Sequence, residues 1–371
     1  MNFVDAFSGK KVLITGHTGF KGSWLSLWLT KLGANVIGVS NGIPTQPSNF
    51  EALGLSNHIS HYLIDVRNSE AISEVIWENR PDFVFHLAAQ PIVGLAHDQP
   101  LDTIQTNLIG TVVVLDALRR VEHKTTCVMI TSDKSYKNME WTWGYRETDL
   151  IGGADIYSAS KGMAEIAINS YIKSYFTAPD NPVQIGVARA GNVIGGGDWA
   201  SGRLVPDCID GWYRKEVVKI RHPKATRPWQ HVLEPLSGYL TFAARLRSQS
   251  EIHGEAFNFG PGLEHDFDVS DVINSMSQRW GVGANVTFSD PGPGAPEAGL
   301  LRLNCDKAMS QLAWRPALDF ETTINMTVDW YRKFYENSQS SMLDYSLLQL
   351  DEYISRARDR GLFWAIGPKN S

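Results

Sequence analysis

The sequence predicts an α/β fold built on a mainly parallel, doubly wound sheet. Short apolar runs alternate with helix-length segments, and most of the runs are almost continuously apolar. This pattern is typical of strands that helices cover on both faces, whereas a strand with one solvated face alternates apolar and polar residues. The runs that we interpret as strands of the main sheet are KVLITG (11–16), NVIGVS (35–40), HYLIDV (61–66), DFVFHLAA (82–89), TCVMITS (126–132) and VQIGVARAG (183–191).

A change of composition after residue 191 predicts a second, smaller α/β lobe. Loops rich in Gly and Pro, GNVIGGGDW and DPGPGAPEAG, separate the helices there. EAFNFGPG (255–262) follows a helical stretch and indicates a late strand that returns to the main sheet. We therefore assign residues 1–191, with 232–262, to the main-sheet domain. Residues 192–371 are assigned mainly to a lobe for the substrate, with a helical tail at the C-terminus.

Composition and charge exclude several classes of protein. The 371 residues are 43% hydrophobic and carry a formal net charge of -6, without a run of Lys or Arg that would indicate a nucleic-acid or membrane surface. Cys127, Cys208 and Cys305 lie far apart and are odd in number, which favours neither a disulfide framework nor a metal site. No apolar stretch approaches the roughly 20 residues of a membrane span. We expect a soluble, cytoplasmic protein.

A glycine motif follows the first predicted strand and opens a helix. In ITGHTGFKGSWL the glycines are spaced three apart, which allows a tight turn and a close approach of the backbone to a pyrophosphate at the helix N-terminus. The motif predicts a Rossmann-type domain that binds a nicotinamide dinucleotide. The residues of the motif expected to line the cofactor are Gly16, His17, Thr18, Gly19, Phe20, Lys21 and Gly22.

The sequence leaves open whether the cofactor is NAD or NADP. The second strand ends in VSNGIP, without the acid that often binds the ribose of NAD. Asn41 can bond a ribose hydroxyl, while His17 and Lys21 would tolerate a 2′-phosphate. Asp65, followed by Val66, is a candidate to bind the adenine amine. A helix cap before RNSEA is the alternative interpretation of Asp65.

A second motif, YSASK, places Tyr157 and Lys161 on one face of a helix. The ammonium is expected to lower the pKa of the phenol, which could then serve as the base in the oxidation of an alcohol by a nicotinamide. Upstream, VMITSDKSY (128–136) sets Ser132, Asp133 and Lys134 side by side at the end of a predicted strand. These residues are interpreted either as catalytic groups or as a structural Asp–Lys pair at the strand end.

Several strings together carry a resemblance to a known family. TGHTGFKG, HLAAQ, Ser132 and YSASK resemble the extended short-chain dehydrogenase/reductase family over essentially the whole chain. GIPTQPSNFE, SDKSYKN, GGADIYSASKG, RAGNVIGGGDWA and TRPWQHVLEPLSGYL are similar to the nucleotide-sugar 4,6-dehydratases that act on CDP-sugars. The resemblance implies conversion of CDP-glucose to CDP-4-keto-6-deoxyglucose by enzyme-held NAD. In that cycle carbon 4 is oxidised, water is lost across carbons 5 and 6, and the hydride returns to carbon 6.

The same resemblance implies roles for individual residues. Ser132, Tyr157 and Lys161 would form the oxidoreductase triad, which Asn107 supports. Asp133 would be the acid for the departing hydroxyl, which requires a raised pKa, and Lys134 the base at carbon 5. Leu87, Ala88 and Ala89 would line the cofactor cleft. The residues implied in substrate binding are Gln90, Asn192, Arg203, Leu204, Arg221, Arg227 and His231, of which the arginines suit a pyrophosphate.

The resemblance also implies a homodimer or homotetramer assembled through the Tyr157 helix. Two alternative functions remain open at this point. A nucleotide-sugar 4-epimerase would need the triad but would have no use for an acid and a base at Asp133 and Lys134. A non-catalytic NAD(P)-binding sensor would need only the glycine loop.

Overall fold

The computed structural model describes residues 2–262, 267–289, 300–336 and 341–366. The strands in these ranges are β1 Lys11–Thr15, β2 Asn35–Ser40, β3 Ser60–Leu63, β4 Phe83–His86, β5 Thr125–Ile130, β6 Val183–Ala190, β7 Val193–Ile194, β8 Val218–Arg221, β9 Gln230–His231, β10 Ala256–Phe259 and β11 Val286–Ser289. The helices are α1 Phe3–Phe7, α2 Phe20–Lys31, α3 Asn49–Ala52, α4 Ser69–Asn79, α5 Val93–Asp98, α6 Pro100–Ile104, α7 Gly110–Leu118, α8 Ile156–Tyr175, α9 Leu204–Tyr213, α10 Leu233–Ser248, α11 Val269–Trp280, α12 Asp306–Leu312, α13 Phe320–Tyr335 and α14 Met342–Asp359.

The main sheet has seven parallel strands in the order β10-β6-β5-β4-β1-β2-β3. The chain runs outward from β1 to β3 and then returns to β4 on the other side of β1. Ligands of such sheets bind beyond the carboxyl ends of the strands at this point of reversal. The Rossmann-type fold predicted from the sequence is confirmed, and the late strand β10 pairs with β6, with Phe259 opposite Ala190.

Both faces of the sheet are packed, which explains the continuous apolar runs. On β1, Leu13 points to the face that α4, α7 and α8 cover, while Val12 and Ile14 point to the face that α2 and α10 cover. On β5, Cys127 and Met129 belong to the first face, whereas the residues between and after them belong to the second. Successive residues of a strand point to opposite sides, so burial on both sides requires apolar residues at every position.

The second lobe adds two short parallel pairs. β7 pairs with β9, with Val193 opposite Gln230, and β8 pairs with β11, with Val218 opposite Val286. Helices α9, α11 and α13 pack around them. The division into domains at residues 191 and 192 stays a prediction from the sequence.

The C-terminal residues pack back onto the main domain. The ring of Trp364 stacks on Phe3, at 4.8 Å between centroids, and meets Trp28 edge-on at 5.7 Å. From α14, the Tyr353 hydroxyl donates to Glu234 at 2.8 Å. The tail therefore joins α1, α2 and α10.

One helical stretch is longer and more apolar than the sequence analysis expected. The 19 residues 100–118, which comprise α6, a π-helical turn at Gln105–Ile109 and α7, are long and apolar enough to cross a membrane by length and composition alone. Half of the stretch is buried inside the protein. Val113 and Val114 pack against the sheet there, as in the core helix of a globular domain.

Candidate active site

The glycine loop between β1 and α2 leaves no room for side chains at two positions. Gly16 has a φ of +77°, and a Cβ there would lie 2.8 Å from the backbone nitrogen of Ala88. A Cβ on Gly22 would lie 2.1 Å from the carbonyl oxygen of Gly16. Gly19 caps α2 without a side-chain hydrogen bond to its first turn. The loop thus presents bare backbone and a helix N-terminus, which fits the pyrophosphate of a dinucleotide.

His17 does not point toward a phosphate site, contrary to the expectation from the sequence. Its ring is fully buried beneath Gly38, where a Cβ would lie 2.3 Å from His17 Cδ2. Its two ring nitrogens contact Ser40 Oγ at 3.1 Å and His61 Nδ1 at 2.7 Å. Burial lowers the pKa of His17 to about 4, so the ring is neutral. The interpretation of His17 as a residue that tolerates a 2′-phosphate is therefore wrong.

Lys21 also points away from the end of β2. Burial lowers the pKa of its amine to about 8, and the charges that act on it next are those of Arg203, Asp133, Lys161 and Asp198. These groups surround the carboxyl ends of the central strands, so Lys21 faces the reaction site. Its suggested contact with a 2′-phosphate is wrong for the same reason. Phe20 contacts the same region, since a Cβ on Gly195 would lie 3.3 Å from its ring.

The side chains at the adenosine end form a connected network. Arg67 donates to Asp65 from Nε at 2.9 Å and from a terminal nitrogen at 2.6 Å, and it donates to Asp102 at 2.6 Å. These bonds, with one from Asn41, hold the pKa of Asp65 below its usual value. The cap of α4 is Asn68, not Asp65, which removes the capping alternative. The Thr18 hydroxyl donates to the Gly42 carbonyl at 2.7 Å nearby.

The end of β4 forms the wall opposite the glycine loop. The Leu87 amide donates to the Thr15 carbonyl at 3.1 Å, and Leu87, Ala88 and Ala89 are half-buried at the edge of the sheet. Val66 lies behind this wall, against Gly110, where a Cβ would lie 2.5 Å from Val66 Cγ1.

Gln90 differs from its predicted role, because its own loop occupies its amide. Nε2 donates to Thr103 Oγ1 at 2.8 Å, and Oε1 accepts from the Ile92 backbone. The side chain is also buried. Asn107, in the π-helical turn, accepts from the Gln90 backbone nitrogen at 2.8 Å and donates to Ser160 Oγ at 2.8 Å. It therefore braces the residue before Lys161 and not the lysine amine.

Ser132, Tyr157 and Lys161 come together at the carboxyl edge of β5, and all three are buried. A hydrogen bond joins Ser132 to the Tyr157 phenol. Helix α8 begins one residue before Tyr157, where Asp155 accepts from the Ser158 backbone nitrogen at 2.9 Å and caps the first turn. One further helical turn brings Lys161 to the same face.

The pKa of the Tyr157 phenol moves in the opposite direction from the expectation. Burial raises it to about 12, and the bond with Ser132 and the charge of Arg203 offset only part of this effect. The pKa of Lys161 falls to about 8, also through burial, while Glu165 acts in the other direction. Desolvation therefore outweighs the attraction that the YSASK spacing suggested.

Asp133 and Lys134 begin a turn of 3-10 helix directly after the strand. Asp133 is 2% exposed, and burial raises the pKa of its carboxyl against the opposing effects of Lys134 and Ser132. This is the direction that an acid requires. Oδ1 accepts from Ser132 Oγ at 2.9 Å, while Oδ2 has no hydrogen-bond partner among the described residues. Within the same ranges no ion pair joins Asp133 to Lys134, so a structural pair is not supported.

Arg203, a predicted substrate residue, lies close enough to the catalytic group for its charge to act on it. It donates to Asp198 Oδ2 at 2.7 Å, and its charge acts on both Tyr157 and Lys21. Leu204, the next residue, begins α9 and packs against the core. Asp198 was not identified from the sequence, although GGGDWA marks it as the single acid in a glycine turn.

The remaining predicted substrate residues fall in different places. Asn192 is half-buried just beyond β6, and Arg227 is half-buried in the loop whose next residue, Pro228, touches Gly191. His231 is fully buried, and its Nδ1 accepts from the Leu233 backbone nitrogen at 3.3 Å, so it offers no accessible donor, contrary to the expectation. The side chain of Arg221 lies outside the described part of the structure.

A buried ion pair beneath the triad was also missed. Glu165 accepts from Arg189 at 2.8 and 2.9 Å, and Arg189 in turn donates to the Tyr136 hydroxyl at 2.7 Å. Glu165 follows Lys161 by four residues, a spacing that could have identified it as a neighbour on the same helix face.

The Rossmann-type sheet, the glycine turn and the Ser-Tyr-Lys group together define an enzyme of the extended short-chain dehydrogenase/reductase class. Residues 13–327 match the family described as GDP-mannose 4,6 dehydratase, and the chain belongs to this family. It is 44% identical to a CDP-glucose 4,6-dehydratase of Salmonella typhimurium, over 94% of this chain and 97% of the relative.

Two solved structures illustrate the shared fold. UDP-glucose 4-epimerase of Thermotoga maritima superimposes with a TM-score of 0.76 at 23% identity, over 87% of this chain and 99% of the epimerase. The dTDP-glucose 4,6-dehydratase of Bacillus anthracis, in complex with NAD, superimposes with a TM-score of 0.73 at 21% identity, over 89% of this chain and 98% of that chain.

Proposed function

We propose that this enzyme converts CDP-glucose to CDP-4-keto-6-deoxyglucose with bound NAD. The observation that carries the proposal is the buried carboxyl of Asp133, whose pKa is raised beside Lys134 and the Ser132–Tyr157 pair. Elimination of water needs an acid and a base in addition to an oxidising group, and an epimerase does not. The similarity to a named CDP-glucose 4,6-dehydratase over nearly the whole chain supports the same choice.

The cofactor that fits the site best is NAD. The glycine loop and the N-terminus of α2 would hold its pyrophosphate, and Asp65 with Asn41 lies at the adenosine end. His17 is neutral and buried, Lys21 faces the reaction site, and Arg67 is bonded to two carboxylates. None of these three basic side chains is placed to bind a 2′-phosphate. When bound, the nicotinamide accepts a hydride from carbon 4 of the sugar and later returns it to carbon 6.

The side chains of the triad would govern the first oxidation. Tyr157, once its phenol has lost its own proton, would receive the proton of the carbon 4 hydroxyl, and Ser132 would orient the phenol. Because burial keeps the phenol protonated in the free site, the proton transfer depends on nearby positive charge, which Arg203 supplies. Lys161 would bond a ribose hydroxyl of the cofactor. Because burial lowers the pKa of its amine to about 8, the amine can lose its charge when the site is desolvated.

Asp133 and Lys134 would carry out the elimination. Once carbon 4 is a ketone, the hydrogen on carbon 5 is acidic, and Lys134 removes it. Asp133 gives its proton to the hydroxyl on carbon 6, which leaves as water. Arg203, held by Asp198, and Arg227 would bind the nucleotide-sugar diphosphate.

We further propose a cytoplasmic homodimer or homotetramer assembled through α8 and the 93–118 segment. Large apolar side chains project to the surface there: Leu101 is 67% exposed, Ile109 44% and Ile166 62%. Large apolar side chains that cluster at a surface are typical of protein interfaces, and these three lie on helices that pack together. Sedimentation of the purified protein tests the assembly, and charged substitutions at Leu101 and Ile166 are expected to yield monomers.

The experiment that tests the function is incubation of the protein with NAD and CDP-glucose in heavy water. Loss of one water, a new methyl group and deuterium at carbon 5 are expected by mass spectrometry and NMR. Unchanged mass with inversion at carbon 4 would indicate an epimerase instead. If CDP-, UDP-, GDP- and dTDP-glucose are all left unchanged while NAD binds, the protein is a sensor. Parallel reactions with NADP are expected to be slower.

A further inference from the structure

Three strand ends meet behind the carboxyl of Asp133. In the sheet Ile130 lies opposite Ala188, and Phe259 lies opposite Ala190, so the residues that follow β5 and β6 converge with the end of β10. A Cβ on Gly191 would lie 3.1 Å from Asp133 Oδ2. Oδ2 therefore faces these strand ends, while Oδ1 lies on the cleft side beside Ser132.

Helix α10 brings a phenol to the same place. A Cβ on Gly238 would lie 2.2 Å from the ring of Phe259, so the helix runs close against β10. The ring of Tyr239 meets the ring of Phe259 edge-on, at 5.8 Å between centroids. Tyr239 is fully buried, and its hydroxyl has no hydrogen-bond partner within the described ranges. The charge of Asp133 acts on Tyr239 and, after burial, raises the pKa of the phenol.

Gln230 contributes a third polar atom next to Phe259. Its Nε2 donates to the Phe259 carbonyl at 3.0 Å, and its buried Oε1 has no partner in the part of the chain that is described. The phenol and the amide oxygen thus both lie beside Phe259, whose strand end is paired next to Gly191 and so to Asp133 Oδ2. Buried polar atoms in native proteins are hydrogen-bonded, and an internal water typically makes about three such bonds.

We propose that Tyr239 is a positioning residue for the acid Asp133 and acts through one buried water that also binds Gln230. The water accepts from the Tyr239 hydroxyl and donates to Asp133 Oδ2 and Gln230 Oε1. Each of the three atoms then has a partner. This inference rests on the proposed function, in which Asp133 protonates the departing hydroxyl.

The hydrogen bond from the buried water stabilises Asp133 after it has given up its proton. Asp133 releases its proton from the cleft side to the carbon 6 hydroxyl, which departs as water, and a carboxylate remains. The bond from the buried water is stronger to this carboxylate than to the neutral acid. Tyr239 keeps its own proton because both burial and Asp133 raise its pKa. The other groups that act on Asp133 are Lys134 beside it, Lys21 from α2 and Tyr157 from α8.

Tyr239→Phe tests the proposal, because it removes one oxygen and keeps the ring. In a single turnover with NAD and CDP-glucose, we expect oxidation at carbon 4 to stay within about twofold and elimination to slow about tenfold, the effect of one charge-assisted bond. Elimination needs a protonated acid, and the substitution raises the pKa of Asp133. The pH above which elimination is lost should therefore move upward by roughly 0.5–1 unit.

Other outcomes would overturn the proposal. Unchanged elimination with an unchanged pH profile and a raised melting temperature would mean that the hydroxyl is only an unpaired buried group. Equal slowing of both steps would indicate a packing role. Gln230→Met removes the amide oxygen to which the water donates, and so tests the link independently of Tyr239. If the pH above which elimination is lost does not move upward in this variant too, the link is rejected. Tyr213→Phe, at a half-exposed phenol on α9, controls for the change itself.

Asp133→Asn separates the two levels of the argument. If this variant still eliminates water at the normal rate, the assignment of the acid falls, and the role of Tyr239 falls with it. If Asp133→Asn accumulates reduced nicotinamide but Tyr239→Phe does not, the proposed function stands and the link to Tyr239 alone is rejected.

Discussion

The substitution Lys134→Met separates the two half-reactions of the proposed cycle. Methionine keeps most of the length of the side chain but cannot accept a proton. The contact of this residue with the triad is made by its backbone nitrogen, which donates to Ser132 Oγ at 3.2 Å. A change of side chain leaves that bond in place. We therefore expect oxidation at carbon 4 to survive.

The expected loss falls on removal of the carbon 5 proton. A positioned general base contributes about 10²–10⁴ in rate, which corresponds to about 2.7–5.4 kcal/mol at 1.36 kcal/mol per factor of ten. Once Lys134 has taken the carbon 5 proton it is positively charged, and its charge is the largest influence that lowers the pKa of Asp133. Its removal raises that pKa further and makes Asp133 a weaker acid. The loss should thus lie toward the upper part of this range.

Stopped-flow absorbance of reduced nicotinamide, combined with quenched product analysis, measures both steps in one turnover. Wild-type enzyme should show a brief rise and decay, and Lys134→Met a rise that persists. Deuterium from heavy water should no longer enter carbon 5. Lys137→Met, three residues away and exposed, is the matched control. Equal loss of both steps would refute the reasoning and make Lys134 a residue of binding or structure.

Three other substitutions probe different parts of the site. Tyr157→Phe should abolish the oxidation while leaving NAD binding intact, and undiminished turnover would remove the phenol from the mechanism. Arg227→Ala should weaken CDP binding by about 1–3 kcal/mol, as measured by calorimetry, if a charged hydrogen bond to the diphosphate is lost. Glu165→Gln leaves the buried charge of Arg189 without its anionic partner and should reduce the free energy of unfolding by about 3–5 kcal/mol in urea. An unchanged unfolding midpoint would show that water reaches the pair.

The sequence was most informative where one local pattern determines the structure. Runs that are almost continuously apolar favour strands covered on both faces, and the structure places a strand in each of the six runs, with the edge strand β3 the least buried. Likewise, the glycine spacing in residues 16–22 allows only a turn of bare backbone, because Cβ atoms would meet other backbone atoms at Gly16 and Gly22. Such constraints involve residues close in sequence and need no knowledge of distant neighbours.

Predictions that depended on the environment of a side chain succeeded less often. The sequence suggests that His17 would tolerate a 2′-phosphate, yet its ring contacts His61, 44 residues later, beneath Gly38. Gln90 reads as a ligand, yet Thr103 and Ile92 occupy its amide. For Tyr157, the i,i+4 lysine was visible in the sequence but the extent of burial was not. Long-range packing decides each of these cases.

Two acids near the reaction site show why burial decides the chemistry. Asp198 accepts from Arg203 and from the Ala200 backbone nitrogen at 3.1 Å, so both of its oxygens have hydrogen-bond donors. Asp133 has only Ser132 at one oxygen among the described side chains, and its pKa is raised. A buried carboxyl with a raised pKa suits the role of proton donor. An epimerase would gain nothing from a neutral carboxyl beside its triad, since it expels no hydroxyl. The environment of Asp133 thus favours a dehydratase independently of sequence similarity.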